Sequence, residues 1–150
     1  MITNDMKKAI QVLQKIDPSI TIGGSMCLNA MGLMDREIGD LDIFIDKDKP
    51  FEISKYRKVD EYHRNYKFTT DFNGDILERI PLLIHGVKVC IFKVPKYLLQ
   101  SLTMDIEGLE MNIQNPCFAI AGKVLFSKHD DKHTDDLMAI YKKLIFSNLI

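Results

Sequence analysis

The stretch from Ile20 to Asp46 reads ITIGGSMCLNAMGLMDREIGDLDIFID, a strand, a Gly-Gly-Ser turn, a short helix and a second strand. Strand side chains alternate with period two, so Asp40 and Asp42 share one face while Leu41 turns to the other. Two carboxylates side by side on an apolar strand repel each other, and their desolvation is costly unless a cation joins them. A divalent metal is the economical partner. Gly23 and Gly24 let backbone N–H groups come close to a ligand just before a helix N-terminus, an arrangement suited to phosphate. A phosphate site and a metal site are thus encoded close together.

Outward from this stretch, periodicity predicts a helix over 4–16 with Met6, Ile10 and Leu13 buried and Val12 and Ile16 beside them, ended by Asp17-Pro18. Strands are expected over Ile20–Ile22 and Asp40–Ile45, with a helix over Ser25–Leu33 between them. A short irregular or helical piece covers 50–60. Further strands fall near 65–71, 75–84 and 87–94, with Asn73-Gly74 and His85-Gly86 where hairpin turns belong. Pro95 opens a short helix to Leu102, and a strand near 109–113 precedes Asn115-Pro116, a good N-cap and N1 pair. Helices follow from Pro116 to Ser127 and over 132–147, the latter directing Leu137, Ile140, Tyr141 and Leu144 inward. The pattern reads as one α/β domain over 1–150, a mixed sheet flanked by helices.

The 150 residues are 46% hydrophobic, enough to bury a real core. Twenty basic and 21 acidic residues give a formal charge of −1, which argues against a dedicated nucleic-acid binder. Cys27, Cys90 and Cys117 are far apart and odd in number, and no CxxC is present. They read as buried free thiols of a reducing compartment. The N-terminus has no apolar h-region and no apolar run is long enough to span a bilayer. A cytoplasmic protein with no membrane partner is expected.

Each motif also has a plainer reading. Gly24, Ser25 and Met26 can hold phosphates through their N–H groups, or Ser25 can simply cap a helix. Asp40 and Asp42 can be solvated acids at a strand end, although Leu41, Ile43, Phe44 and Ile45 mark that strand as buried. Neither GxxxxGK[ST] nor GxGxxG is present, so a P-loop or a Rossmann site is a poor assignment. His129 and His133, four apart, are better read as part of a solvated turn than as zinc ligands.

Together, Gly23-Gly24-Ser25 and Asp40-Leu41-Asp42 resemble the nucleotidyltransferase superfamily typified by DNA polymerase β, with its Gly-[Gly/Ser]-Ser turn, helix and Asp-x-Asp strand. The run Arg36-Glu37-Ile38-Gly39-Asp40-Leu41-Asp42-Ile43-Phe44 is most similar to the abortive-infection and toxin–antitoxin branch. That branch often carries a later helical Lys and a Lys-x-x-x-Asp-Leu element, matched in order by Lys123 and by Lys132 to Leu137. The resemblance implies a small nucleotidyltransferase-like domain that moves a nucleoside monophosphate from an NTP to a hydroxyl of a protein, RNA or small molecule. Asp40 and Asp42 would bind Mg²⁺, which takes oxygen ligands and completes its shell with water and substrate phosphates. Gly23, Gly24 and Ser25 would hold phosphates, with Arg36 and Lys123 as further phosphate contacts. The plainer reading of Arg36 is a salt bridge to Asp35 or Asp40, and of Lys123 an exposed helical lysine.

The superfamily pattern also has a third carboxylate on a later strand, and His85 to Phe92 contains none. Cys90 falls about where it would stand, and sulfur is a poor ligand for Mg²⁺. Glu78 on the preceding strand is the candidate to supply it, with Asp75 the alternative. Two readings follow: an active enzyme, including a one-metal variant, or a degenerate copy of the fold with a binding, structural or regulatory role and a protein partner.

Overall fold

The computed structural model describes residues 2–58, 68–70, 76–126 and 131–148. Asp75, the Asn73-Gly74 turn and His129 lie outside them. Helix α1 (Asn4–Ile16) begins where Thr3 Oγ1 accepts the N–H of Met6 at 3.1 Å. Its apolar stripe buries Met6, Ala9, Ile10 and Leu13, with Val12 and Ile16 half covered. The chain continues through β1 (Thr21–Gly23), α2 (Gly24–Ala30) and β2 (Leu41–Asp46). Then come β3 (Arg57–Lys58), β4 (Phe68–Thr70), β5 (Ile76–Ile84) and β6 (Val87–Val94). A 3₁₀ turn (Lys96–Leu99), β7 (Ser101–Ile106), β8 (Leu109–Gln114), α3 (Pro116–Phe126) and α4 (Asp131–Asn148) complete it.

The strands form one mixed eight-stranded sheet in the order β3-β5-β6-β2-β1-β8-β7, with β4 also on β5. β1 pairs antiparallel with β2 and parallel with β8, and β2 runs parallel to β6. The mixed α/β class expected from the sequence is what the chain adopts.

Alternation along β2 divides the sheet's two faces. Leu41, Ile43 and Ile45 join Ile22, Leu82, Val89, Ile91 and the stripe of α1 in the main core. Asp42 and Phe44 turn to the other face. There Cys90, Phe92, Val94 and Leu98 form a smaller cluster with Phe44, Tyr97 and Phe118. Phe44 and Phe92 stack with centroids 4.9 Å apart. Truncating a fully buried side chain such as Leu13 or Ile43 to alanine costs about 2–5 kcal/mol, so the main core dominates stability.

Several expectations need correction. The helix expected from Pro95 to Leu102 is only the single 3₁₀ turn Lys96–Leu99, and Ser101–Leu102 begin strand β7. That edge strand turns into β8 at Glu107-Gly108, whose φ values of 51° and 90° make a tight hairpin turn without the usual Asn-Gly. Helix α2 stops at Ala30, short of Leu33. In α4, Ile140 is buried, but Tyr141 is 60% and Leu144 40% exposed. Only a narrow strip of that helix faces inward, and the buried residue one turn before Ile140 is Asp136. Cys27 and Cys90 are buried as expected, whereas Cys117 is exposed on the first turn of α3. Among the described residues no helix is long and apolar enough to cross a membrane.

Candidate functional site

The Gly-Gly-Ser turn and the acidic strand meet because β1 and β2 are antiparallel neighbours, with Gly23 opposite Asp42. Both glycines are required by close approach. A Cβ on Gly23 would collide with the ring of Phe44 and the amide of Gln114. On Gly24 it would collide with Asp42 Oδ2, and Gly24 also has φ +59°, where other residues are strained. The turn therefore wraps directly onto the Asp42 carboxylate.

Asp42 is only partly exposed, and its carboxyl is pushed up to about 6, first by burial and then by the charge of Asp40. Arg79, Lys123 and Lys132 pull in the opposite direction without restoring the ordinary value. The pair is thus short of positive charge. That electrostatic need, with two oxygen donors beside a turn bared for close approach, fits a Mg²⁺ ion that takes its remaining ligands from water and phosphate. Among the described residues no group of three or more His, Cys, Asp or Glu side chains is placed to hold a metal. The oxygen donors that such an ion would find there are those of Asp40 and Asp42.

Beside the turn, the front and the rear of the chain join. Arg36 forks onto Asp136, Nε donating to Oδ1 at 2.7 Å and Nη2 to Oδ2 at 2.8 Å. Lys123 Nζ donates to the same Oδ2 at 2.8 Å. Both cations also reach Ser25 Oγ, Arg36 at 3.0 Å and Lys123 at 3.3 Å. The side chains of Lys123 and Asp136 are each 6% exposed, while that of Arg36 is 38% exposed. Burial alone would raise the Asp136 carboxyl, but the hydrogen bonds from Arg36 and Lys123 prevail and hold it at about 2. Two cations share one carboxylate, leaving a surplus positive charge at the mouth of the turn.

Of the residues singled out from sequence, Gly23, Gly24, Asp40 and Asp42 come together at one end of β1 and β2. Ser25, Arg36 and Lys123 gather beside them. The salt bridge of Arg36 is to Asp136, not to Asp35 or Asp40, and Lys123 is buried rather than exposed. Glu78 is not brought there. It pairs across the hairpin with Lys93, on the face opposite to Arg79 and Phe92, and its carboxylate lies 3.6 Å from Lys93 Nζ. The side chains that reach toward Asp42 from that hairpin are Cys90, its direct neighbour on β6, and Arg79. Asp46 is on the same face as Asp42 but at the far end of β2, where Oδ1 accepts the N–H of Asp48 at 2.9 Å.

Asp136, Arg79 and Gln114 were not singled out from sequence. Asp136 lies in the run Lys132 to Leu137 quoted for the resemblance, which gave it no role and no partner. Gln114 is 3% exposed, and its Oε1, aimed at Gly23, has no hydrogen-bond partner among the described residues. No pattern of residue types signals it.

No family model matches the chain, and no curated protein matches it. Among solved structures, it is similar to the crystal structure of a Thermotoga maritima protein assigned as a nucleotidyltransferase. The similarity covers 89% of this chain and 92% of that one, with a TM-score of 0.55 and 18% identity. That agreement along nearly the whole length, at so low an identity, is a likeness of backbone: the chain has a nucleotidyltransferase-like fold.

Proposed function

We propose that this chain is a Mg²⁺-dependent nucleotidyltransferase that moves a nucleoside monophosphate from an NTP to a hydroxyl of a protein, RNA or small molecule. The observation that carries the reading is the convergence of Asp40, Asp42, Gly24, Ser25, Arg36 and Lys123 at one end of the sheet. Residues far apart in sequence supply, at one place, oxygen donors for a metal and a cationic cradle for phosphate. Asp40 and Asp42 would hold Mg²⁺, which neutralises charge developing on the transferred phosphate and its leaving group. Gly24 gives the triphosphate close access to the backbone. Ser25 Oγ already accepts from both cations and so retains its own O–H to donate to a phosphate oxygen. Arg36 and Lys123 orient and stabilise the leaving diphosphate. The chain fits best with the abortive-infection and toxin–antitoxin branch, since Arg36, Lys123 and Asp136 from the front and rear motifs form one network. A cytoplasmic setting suits an NTP-dependent reaction.

A second reading has its own observation. No third carboxylate stands beside Asp42 on β6, where Cys90 is found instead, and this favours a degenerate copy of the fold that binds a protein partner. Calorimetric titration with each of the four NTPs, with and without Mg²⁺, on the wild type and on Asp42→Asn, separates the two. Binding that needs Mg²⁺ and is lost in the variant supports the enzyme. A folded wild type that binds no NTP supports the degenerate copy.

A further inference from the structure

Gln114 closes strand β8 on the sheet face that carries Asp42. It follows Ile113, the partner of Ile22, and so stands beside Gly23, which itself lies opposite Asp42. Gln114, Gly23 and Asp42 thus form one row across β8, β1 and β2, with no side chain in its middle. At about 4.8 Å per strand, the outer two α-carbons are about 10 Å apart. The backbone of Gln114 is fixed, its carbonyl accepting from Cys27 Sγ at 3.1 Å. Its side chain is not answered in the same way. Oε1 is buried and has no hydrogen-bond partner among the described residues. An amide oxygen shut away from water without a donor is unfavourable to the fold. One left so beside a candidate site marks a place for a donor that is not part of the chain.

Gly23 points the same way. Its φ of −126° is extended backbone open to any residue, so conformation does not require glycine there. Space does, because Gln114 Oε1 and the Phe44 ring both lean over the bare α-carbon. The amide is thereby brought from β8 toward the carboxylate on β2. Asp42 and Phe44 are each half-buried, so the row opens to solvent next to the amide. Resting on the nucleotidyl-transfer reading, we propose that Gln114 recognises the sugar of the nucleotide, Oε1 accepting from a ribose hydroxyl. With the α-phosphate at the metal on Asp40 and Asp42, the ribose is the first group beyond it and the base lies a ring further out. A residue two strands from Asp42 and leaning inward meets the sugar before the base. A hydroxyl also answers either end of an amide, donating to Oε1 or accepting from Nε2, whereas a base amine answers the oxygen alone. A deoxynucleotide lacks that donor, leaves the acceptor stranded and is discriminated against.

Calorimetric titration of the full chain with Mg²⁺ and each ribonucleoside triphosphate, then with its 2′-deoxy and 3′-deoxy counterparts, reads the preference. For whichever nucleotide binds, removing one of the two hydroxyls is expected to weaken binding to the wild type roughly tenfold, the worth of one hydrogen bond. Gln114→Leu should bind the ribo and deoxy forms alike and melt no lower than the wild type, since a stranded acceptor has been removed. Equal affinity of the wild type for all three forms overturns the proposal and leaves the nucleotide site standing. So does a Gln114→Leu chain that keeps the preference, which assigns Oε1 to an enclosed water only. No nucleotide bound to the wild type at any Mg²⁺ concentration overturns both. Should Gln114→Leu not fold, Gln114→Met, which keeps the length and removes the amide, takes its place, and if neither folds the wild-type comparison decides by itself.

Discussion

The α-carbon of Gly24 lies so close to the Asp42 carboxylate that a single methyl group cannot be placed between them. The turn and the acid are therefore one unit, and the glycine is needed both for its positive φ and for its bareness. Gly24→Ala pays about 1–2 kcal/mol for the left-handed backbone alone, and the collision with Asp42 adds to that. A lower melting temperature together with weaker Mg²⁺-dependent nucleotide binding is expected. A variant with wild-type stability and binding would show that the turn relaxes freely, contrary to this geometry.

Asp42 itself weakens the fold at neutral pH. Its carboxyl is at about 6 in the folded chain against a reference of 3.8, so the folded state keeps the proton longer than the unfolded one. With this sign, stability falls as pH rises from about 4 to about 6 and stays reduced above, by about 3 kcal/mol. Asp42→Asn removes the ionisation. It is expected to be more stable than the wild type at pH 7 and to lose that advantage near pH 4, as read by urea unfolding at several pH values. Saturating Mg²⁺ should stabilise the wild type and not the variant.

Asp136 has the opposite sign. Its carboxyl is held at about 2, below the reference of 3.8, so its contribution is complete above about pH 4 and is lost as pH falls toward 2. The shift corresponds to roughly 2 kcal/mol. Asp136→Asn strands the buried Lys123 and should cost about 3–5 kcal/mol at pH 7. Changing Lys123 to Met in the same chain should recover part of that loss, because the uncompensated charge goes with it. A double-mutant cycle on chemical unfolding reads the coupling.

Thiol chemistry gives an independent check on packing. Cys27 donates to the Gln114 carbonyl at 3.1 Å, and burial pushes its thiol up to about 12. Cys90 is buried as well, while Cys117 is exposed. In the native chain one thiol should react quickly with a chromogenic disulfide and two slowly. All three should react at once in denaturant.

Much of this could be read from the residues, and the misses are instructive. The front of the site was legible because strand–turn–helix–strand is local, with period-two alternation fixing the faces of Leu41 and Asp42. The side on which Glu78 falls was legible too, although it was read otherwise. Once His85-Gly86 is the turn, pairing Ile84 with Val87 carries Arg79 opposite Phe92 and Glu78 opposite Lys93, on the other face. The partner of Arg36 was not legible, since nothing local in sequence relates it to Asp136. Strand β7 was hidden by an exposed edge, where half-buried residues carry little alternation and Glu107-Gly108 replaces the familiar turn pair. Tyr141 and Leu144 followed a helical stripe correctly, but α4 has too little to cover them.

The bond between Arg36 and Asp136 also sets a timetable. As the chain leaves the ribosome, the glycine turn and Asp42 emerge close together and can find one another at once. Arg36 then waits through 100 residues, and Lys123 through 13, for Asp136. Until α4 has been made and docked, neither cation has the carboxylate that fixes it beside Ser25, so the order within this network is completed from its far end.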